Sequence, residues 1–132
     1  MPCALAVDDD PIILMDVCDI LSDAGFRCKS ADDGEAAKTM LAEHAEAVTL
    51  LFSDVEMPGT TNGFELAHYV AKHWPWIEID ISSERVMPKA GDMPPHATFI
   101  GKPFSAQLVH DHLREKLPDR KLPPPLRNVS PT

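Results

Sequence analysis

The sequence predicts an α/β fold, in which a doubly wound sheet of five parallel strands carries helices on both faces. Strand-like and helix-like segments alternate along the chain, which is the pattern of parallel α/β sheets. The segment 47–53 is almost continuously apolar, as strands buried on both faces are. Acidic residues follow two of the apolar strand segments, and ligands of such sheets bind at the carboxyl ends of the strands. Fold and chemistry therefore point to the same edge of the sheet.

The first strand is predicted over 3–7 and the first helix over 11–24. Asp10 stands before this helix as its N-cap, Pro11 suits its first turn, and Gly25 ends it. Apolar residues recur along the segment at helical spacing, at Ile13, Val17, Ile20 and Leu21.

Three more strands and two more helices are predicted in the middle of the chain. In chain order they are a strand over 26–31, a helix over 35–44, a strand over 47–53, a helix over 62–73 and a strand over 77–81. The last of these strands contains Asp80. Because a buried, unpaired carboxylate is costly, we expect Asp80 to be exposed or paired.

A fifth strand over 98–100 and a last helix complete the expected domain over 1–117. Ser105 is placed to cap this helix, which runs to about Leu117. Residues 118–132 contain five prolines and few apolar anchors, which predicts a flexible or extended Pro-rich C-terminal tail. A Pro-rich docking segment is the functional alternative for this tail.

The composition argues against some classes of function. A formal net charge of −9 opposes direct nucleic-acid binding, which needs a basic face. No apolar stretch approaches the roughly 20 residues of a membrane span, and no leader peptide is recognisable. We therefore expect a cytoplasmic protein without membrane contact. Cys3, Cys18 and Cys28 lack metal-ligand spacing and are interpreted as core residues.

Carboxylates at the ends of two strands form the candidate functional site. Asp8 and Asp9 follow the first strand, and Asp54 follows the third. Two like charges about 5 Å apart repel by roughly 3 kcal/mol at an effective dielectric constant near 20, so a fold that gathers them needs a cation or a raised pKa. The pattern indicates a divalent metal site. Ser82 and Lys102 leave the fourth and fifth strands, so five polar groups converge on this edge of the sheet.

This set of residues resembles the response regulator receiver domain. The resemblance runs from about Leu5 to Leu117, in the family's order and approximate spacing, and it implies the CheY-like, flavodoxin-like form of the predicted sheet. The matching stretches are Val7-Asp8-Asp9-Asp10-Pro11, Ser53-Asp54-Val55-Glu56-Met57-Pro58-Gly59, Gly63-Phe64-Glu65-Leu66 and Lys102-Pro103-Phe104.

The resemblance implies that Asp54 is a phosphoacceptor, which attacks the phosphoryl group on a partner's histidine and forms an acyl phosphate. It implies Mg²⁺ as the cofactor, bound by Asp9 and Asp54, mainly through water by Asp8, and by the backbone carbonyl of Glu56. Lys102 is expected to pair with the phosphoryl oxygens. The implied partners are a histidine kinase or a histidine phosphotransfer protein, and an unidentified downstream protein.

Ser82 and Phe99 resemble the family's switch pair, a hydroxyl that turns toward the phosphate and an aromatic ring that changes rotamer with it. Phosphorylation adds roughly 1.5 to 2 negative charges, which can draw the hydroxyl inward. Two alternatives stay open at this point. Ser83 competes with Ser82 for the role by register, and ordinary core packing explains Phe99 equally well.

The sequence departs from the family pattern at two places. The loop 59–63 is one residue longer than the commonest form, which should leave the metal ligands intact. In the segment 84–97, three prolines and Gly91 leave no uninterrupted window for the family's fourth helix. We expect that helix to be short, shifted or absent. Receivers usually dimerise or meet targets on this face, so the segment could rearrange or recruit an unusual partner.

The expected function is that of a stand-alone receiver in a two-component phosphorelay, a switch more than an enzyme, which signals by protein contact or acts as a phosphate sink. A metal-dependent phosphohydrolase is a rival interpretation. It normally carries a second Asp two residues after the nucleophile, where this chain has Glu56. Another rival, a phosphorylation-independent interaction module, is opposed by the complete set of acids and lysine.

Overall fold

The computed structural model describes residues 2–127, which form five strands and four α-helices. The strand order is β2-β1-β3-β4-β5, and every neighbouring pair is parallel. The predicted doubly wound sheet is therefore confirmed. The elements are β1 Cys3–Val7, α1 Pro11–Asp23, β2 Arg27–Ala31, α2 Gly34–His44, β3 Val48–Asp54, α3 Gly63–His73, β4 Glu78–Ser83, β5 Thr98–Gly101 and α4 Ala106–Lys116.

Two apolar layers cover the two faces of the sheet, because successive side chains of a strand point to opposite faces. On one face, Leu5 of β1 and Leu51 of β3 pack with residues of α2 and α3. On the other face, Leu50 and Phe52 of β3 pack with residues of α1 and α4. The central strands are thus buried on both sides, as their nearly continuous apolar sequence predicts.

Side chains cap the starts of the helices and set where they begin. The predicted N-caps Asp10 and Ser105 are confirmed, since Asp10 accepts hydrogen bonds from the first turn of α1 and Ser105 from that of α4. Asn62 and Glu65 form a reciprocal capping box at the start of α3.

Every helix within residues 2–127 is too short or too polar to span a lipid bilayer.

β4 runs two residues beyond its predicted end at Ile81. The parallel ladder continues on both sides, with Asp54 of β3 opposite Ser82 and Gly101 of β5 opposite Ser83. Both serines therefore belong to the strand itself. This extension places a hydroxyl directly beside the last residue of β3.

The segment 84–97 contains no helix, which confirms the expectation drawn from its prolines. The left-handed backbone of Gly91, at φ 87°, and of His96, at φ 73°, is incompatible with a continuous α-helix. Hydrogen bonds fix the segment instead. The Ser83 hydroxyl accepts from two backbone N–H groups at its start, and His68 Nε2 of α3 lies 3.2 Å from the Gly91 carbonyl oxygen.

Asp80 is fully buried and paired, so the pairing half of its expectation is confirmed. Its Oδ1 atom lies 2.9 Å from His112 Nε2 and 2.9 Å from Lys116 Nζ, both on α4. Lys116 also donates to the Ile79 carbonyl oxygen. These contacts join α4 to β4 two residues before Ser82.

The expectation of a flexible or extended tail is wrong for residues 118–127. Leu122 is fully buried and Leu126 is 2% exposed, and both belong to the apolar layer of α1 and α4. Lys121 Nζ donates to the Trp76 carbonyl oxygen and to Glu78 Oε1. The high proline content suggested an unpacked segment. Two short turns instead direct the two leucines toward the core. Residues 128–132 of the predicted tail lie outside the described residues.

Gly25, at the end of α1, makes room for this C-terminal segment. Its φ is +107°, and a Cβ atom there would lie 2.7 Å from Pro123 Cβ and 3.0 Å from Pro125 Cδ. The predicted helix-ending glycine is thus also the surface on which the two prolines pack.

We predict that Leu122→Ala lowers the free energy of unfolding by about 2–5 kcal/mol, because such substitutions remove buried apolar area and leave a cavity. Leu108→Ala is the matched control, since Leu108 of α4 is 49% exposed, and its expected loss is below about 1 kcal/mol. Urea denaturation of both variants beside the wild type measures the difference. Equal, small losses would contradict the packing of this segment on the core.

Candidate functional site

The carboxyl ends of the central strands form one acidic cavity. Parallel register brings the ends of β1 and β3 together, with Val7 opposite Ser53, so the residues that follow them meet. Asp8, Asp9 and Asp54 line the cavity with Glu56 and Lys102. The structure therefore brings together five of the seven predicted site residues at this edge. Ser82 lines a small neighbouring cavity with Asp54 and Lys102, and Phe99 lines neither cavity.

The three aspartates are spaced to hold one cation. Their nearest carboxylate oxygens, from Asp8, Asp9 and Asp54, all lie within 4.8 Å of one another. Asp8 and Asp54 are buried and Asp9 is exposed, so the cluster is open on one side to water. Carboxylate oxygens together with retained water suit Mg²⁺, a hard cation that dehydrates reluctantly. The Asp10 side chain does not belong to this cluster, because it caps α1 by accepting hydrogen bonds from backbone N–H groups of the first turn.

Lys102 bridges the two buried acids. Its Nζ atom donates to Asp8 Oδ2 at 2.9 Å and to Asp54 Oδ1 at 3.1 Å. Its side chain is 10% exposed. The backbone N–H of Lys102 donates to the Ser83 carbonyl oxygen, and the peptide bond to Pro103 is cis. The lysine is thus held by β4 while its ammonium partly neutralises the acidic pair.

Burial and charge shift the protonation equilibria of this pair. The pKa of Asp54 is raised from 3.8, chiefly because burial disfavours the carboxylate and also because of the Asp8 charge, while the hydrogen bond and charge of Lys102 oppose the rise. Burial alone would lower the pKa of Lys102, but its hydrogen bonds and charge interactions with Asp8 and Asp54 outweigh that effect and raise it. The ammonium therefore stays charged beside a carboxyl that binds protons more readily than usual.

Gly63 lets α3 approach the backbone of Asp54. A Cβ atom at this position would lie 2.0 Å from the Asp54 carbonyl oxygen, a distance that no side chain tolerates. The Gly63 N–H also donates to the Val55 carbonyl oxygen at 2.8 Å. Sequence reasoning identified Gly63 only as the start of a helix. The glycine inside the matching stretch 63–66 was the available signal for this close contact.

The longer loop 59–63 is fastened to α2 by contacts that the sequence did not reveal. Thr60 and Thr61 donate their hydroxyl hydrogens to Glu35 Oε1, and Lys38 Nζ donates to Thr61 Oγ1 at 3.1 Å. The pKa of Glu35 is lowered chiefly by these two threonine hydrogen bonds. Glu35 lies 25 residues or more from both threonines, so no local pattern indicated the contact.

Ser82 and Ser83 differ in what their hydroxyls do. The Ser83 hydroxyl is occupied, because it accepts from Arg85 N at 3.2 Å and from Val86 N at 3.0 Å. Among the described residues, Ser82 Oγ is buried without a hydrogen-bond partner, and Ser82 shares a small cavity with Asp54 and Lys102. Of the two, only Ser82 has a hydroxyl free to take a new partner.

Phe99 lies on β5 opposite Ile81, the residue before Ser82. It is half-buried and packs against the apolar layer of α2 and α3. It is not among the residues that line the acidic cavity. Phe99 therefore neighbours Ser82 through the strand ladder and lies outside the acidic cavity.

Comparison with known families and curated proteins identifies one kind of domain. A model described as the response regulator receiver domain matches residues 4–114. The sensor histidine kinase RcsC of Salmonella typhimurium is 36% identical over 66 residues, which cover 50% of this chain and 7% of that protein. The chain therefore spans about 7% of the length of the curated relatives it matches.

Solved structures agree with the family match. The chemotaxis protein CheY4 of Vibrio cholerae is 29% identical and superposes with a TM-score of 0.75, over 89% of this chain and 99% of that chain. A response regulator receiver protein from Sinorhizobium medicae is 26% identical, with a TM-score of 0.76 over 82% of this chain and 87% of that one. The similarity thus extends over most of the chain.

We predict that Asp54 titrates above 3.8 in the metal-free protein and that Lys102→Met raises its pKa further, because the variant removes the opposing positive charge. Since the folded state then binds this proton more tightly than the unfolded state, protonation of Asp54 stabilises the fold as pH falls through its raised pKa. Carbon-13 NMR titration of the side-chain carboxyls measures both midpoints. Lys29→Met, at an exposed position on β2, is the control and should leave the midpoint unchanged.

An Asp54 midpoint at or below 3.8 in the wild type would show that burial does not dominate at this site. A lower midpoint in Lys102→Met would contradict the assigned role of the lysine charge.

Proposed function

This chain belongs to the response regulator receiver domain family, and from that premise we propose that Asp54 accepts a phosphoryl group from a histidine kinase or a histidine phosphotransfer protein. One observation carries the proposal: the Asp54 carboxylate lies in an acidic cavity with Asp8, Asp9 and a bridging Lys102. A carboxylate oxygen of Asp54 attacks phosphorus, the bond from phosphorus to the partner's histidine nitrogen breaks, and that nitrogen keeps the electron pair. The product is an acyl phosphate.

Mg²⁺ is the cofactor that we propose for this reaction. Asp8, Asp9 and Asp54 would hold it together with the Glu56 backbone carbonyl, and Glu56 lines the same cavity. When bound, the ion supplies positive charge that neutralises the phosphoryl oxygens and the acids together. The donor set supports this choice, since all its atoms are oxygens and one side of the cluster is open to water.

Lys102 has two tasks in the proposed reaction. Before phosphorylation, its ammonium stabilises the ionised form of Asp54, which is the nucleophile. As the phosphoryl group arrives, the flexible ammonium moves from the carboxylates to the phosphoryl oxygens. A single mobile charge can thus serve both states of the site.

Ser82 and Phe99 are the proposed switch residues. The unpartnered Ser82 hydroxyl gains an acceptor when phosphoryl oxygens appear on the neighbouring Asp54. Movement of Ser82 then changes the packing beside Phe99 through the ladder of β4 and β5. The change reaches the surface formed by β5, α4 and the segment 84–97.

The output that we propose is a changed protein-binding surface, which fits a switch more than an enzyme. The acyl phosphate faces an open cavity, so slow hydrolysis by water returns the site to its resting state. A messenger that binds a downstream protein, a homodimer formed on the changed surface and a phosphate sink that drains a kinase all use this chemistry. Direct nucleic-acid binding is opposed by the net charge of −9.

We predict that Asp54→Asn abolishes phosphorylation, because an amide oxygen is not a sufficient nucleophile. Intact-mass analysis with acetyl phosphate and Mg²⁺ should show one phosphoryl group on the wild type alone. The same result is expected when the donor is the histidine-containing domain of a kinase, phosphorylated on its histidine. Asp10→Asn is the matched control. It removes one charge beside the site, and Asn still caps a helix well, so phosphorylation should persist. Equal labelling of Asp54→Asn and the wild type would assign the phosphoacceptor elsewhere.

We predict opposite effects for the two neighbouring serines. Ser82→Ala should not lower the free energy of unfolding, because its buried hydroxyl makes no hydrogen bond to the described part of the chain, and should leave phosphorylation intact while abolishing the NMR shift change at Phe99. Ser83→Ala should cost about 0.5–2 kcal/mol through its lost backbone hydrogen bonds and should keep that shift change. Urea denaturation and amide NMR spectra before and after phosphorylation test both expectations, and exchanged outcomes would transfer the switch role to Ser83.

A further inference from the structure

Two of the three cysteines meet between α1 and β2. Cys18 of α1 and Cys28 of β2 place their Sγ atoms 2.8 Å apart. Both residues are half-buried against the apolar layer of α1 and α4. Cys3 is buried in the layer on the opposite face of the sheet. The phosphorylation chemistry uses none of these thiols, and sequence reasoning, which interpreted all three as core residues, did not pair them.

We propose that Cys18 and Cys28 are a redox modification site, at which a low-molecular-weight disulfide such as oxidised glutathione converts the two thiols reversibly into an intramolecular disulfide. Two features of the fold support this assignment. β2 is an edge strand, and both side chains are only half-buried, so an external disulfide can reach them. The eleven residues from Cys18 to Cys28 also contain the turn at Gly25, which returns the chain and sets the two thiols face to face.

The two sulfurs have different roles in the proposed exchange. The two Sγ atoms lie within hydrogen-bond distance of each other. Burial, followed by the hydrogen bond and charge of Cys18, raises the pKa of Cys28. In the proposed exchange Cys18 attacks the external disulfide and Cys28 is the resolving sulfur, because a thiol with a raised pKa ionises less readily.

The proposed exchange balances in two steps. In the first step the Cys18 thiol loses its proton, its sulfur attacks one sulfur of oxidised glutathione, and one glutathione thiolate leaves. In the second step the Cys28 thiol loses its proton and its sulfur attacks Cys18 Sγ, which releases the second glutathione as a thiolate. Two protein thiols are oxidised and one glutathione disulfide is reduced to two glutathione molecules. An excess of reduced glutathione reverses both steps.

The crosslink would fasten α1 to the edge of the sheet. α1 begins at Pro11, directly after Asp8, Asp9 and Asp10, so the bond would restrain the helix that follows the acidic loop. The modification site is separate from the acidic cavity, and none of its residues lines that cavity. Its test therefore does not depend on phosphorylation.

The experiment incubates the wild type with increasing ratios of oxidised to reduced glutathione, then quenches with acid and alkylates the free thiols in denaturant. We expect two of the three thiols to be lost without retained glutathione, and a non-reduced peptide map that joins Cys18 to Cys28. Cys3→Ser is the matched control and should form the same crosslink. Cys28→Ser should instead keep one glutathione on Cys18, because it lacks the resolving sulfur, and dithiothreitol should restore every free thiol.

Several results would overturn the proposal. Three free thiols in the wild type at a large excess of oxidised glutathione would show that the pair is inert. A crosslink that includes Cys3 or joins two chains would assign the chemistry to other sulfurs. Circular dichroism of each variant confirms that it is folded, and the peptide map of the wild type decides the question without any substitution.

Discussion

The ion pairs of Lys102 with Asp8 and Asp54 are the interaction on which the rest of the site depends. Both carboxylates are buried side by side, where their repulsion and desolvation oppose folding. The ammonium, at 2.9 Å from Asp8 and 3.1 Å from Asp54, offsets these costs. The two acids still line the open cavity together with Asp9. The resting protein thus keeps the proposed nucleophile and the proposed cation site assembled with one internal counter-ion.

Parallel topology explains why this lysine can reach both acids. β1 and β3 are neighbours, and β4 and β5 follow outward from β3, so the residues beyond each strand gather at one edge. Gly63 allows α3 to pack directly on the backbone of Asp54. On the same side of β4 as Ser82, Asp80 binds α4 through Lys116. Ser82, the proposed switch residue, therefore lies between the acidic cavity and a buried ionic contact with the last helix.

The sequence predicted the parts of this structure that depend on local pattern or on strand ends. Alternating apolar segments, the cap at Asp10 and the prolines of 84–97 gave the right elements, and the acids after two strands gave the right cavity. Contacts between distant segments were not predictable. Leu122 is buried only because the chain folds back over Gly25, and Cys28 meets Cys18 only because α1 packs on β2. Such contacts carry no signal in composition or spacing.

The most direct test of the central claim is a crystal structure with Mg²⁺ and beryllium fluoride, a small mimic of the phosphoryl group. We expect beryllium bonded to an Asp54 carboxylate oxygen, the metal beside Asp8 and Asp9, and Lys102 moved from the carboxylates to a fluoride. The Ser82 hydroxyl should donate to a second fluoride. An adduct on another carboxylate, or a metal bound away from the three aspartates with Lys102 still pairing Asp8 and Asp54, would contradict the assignment of this site.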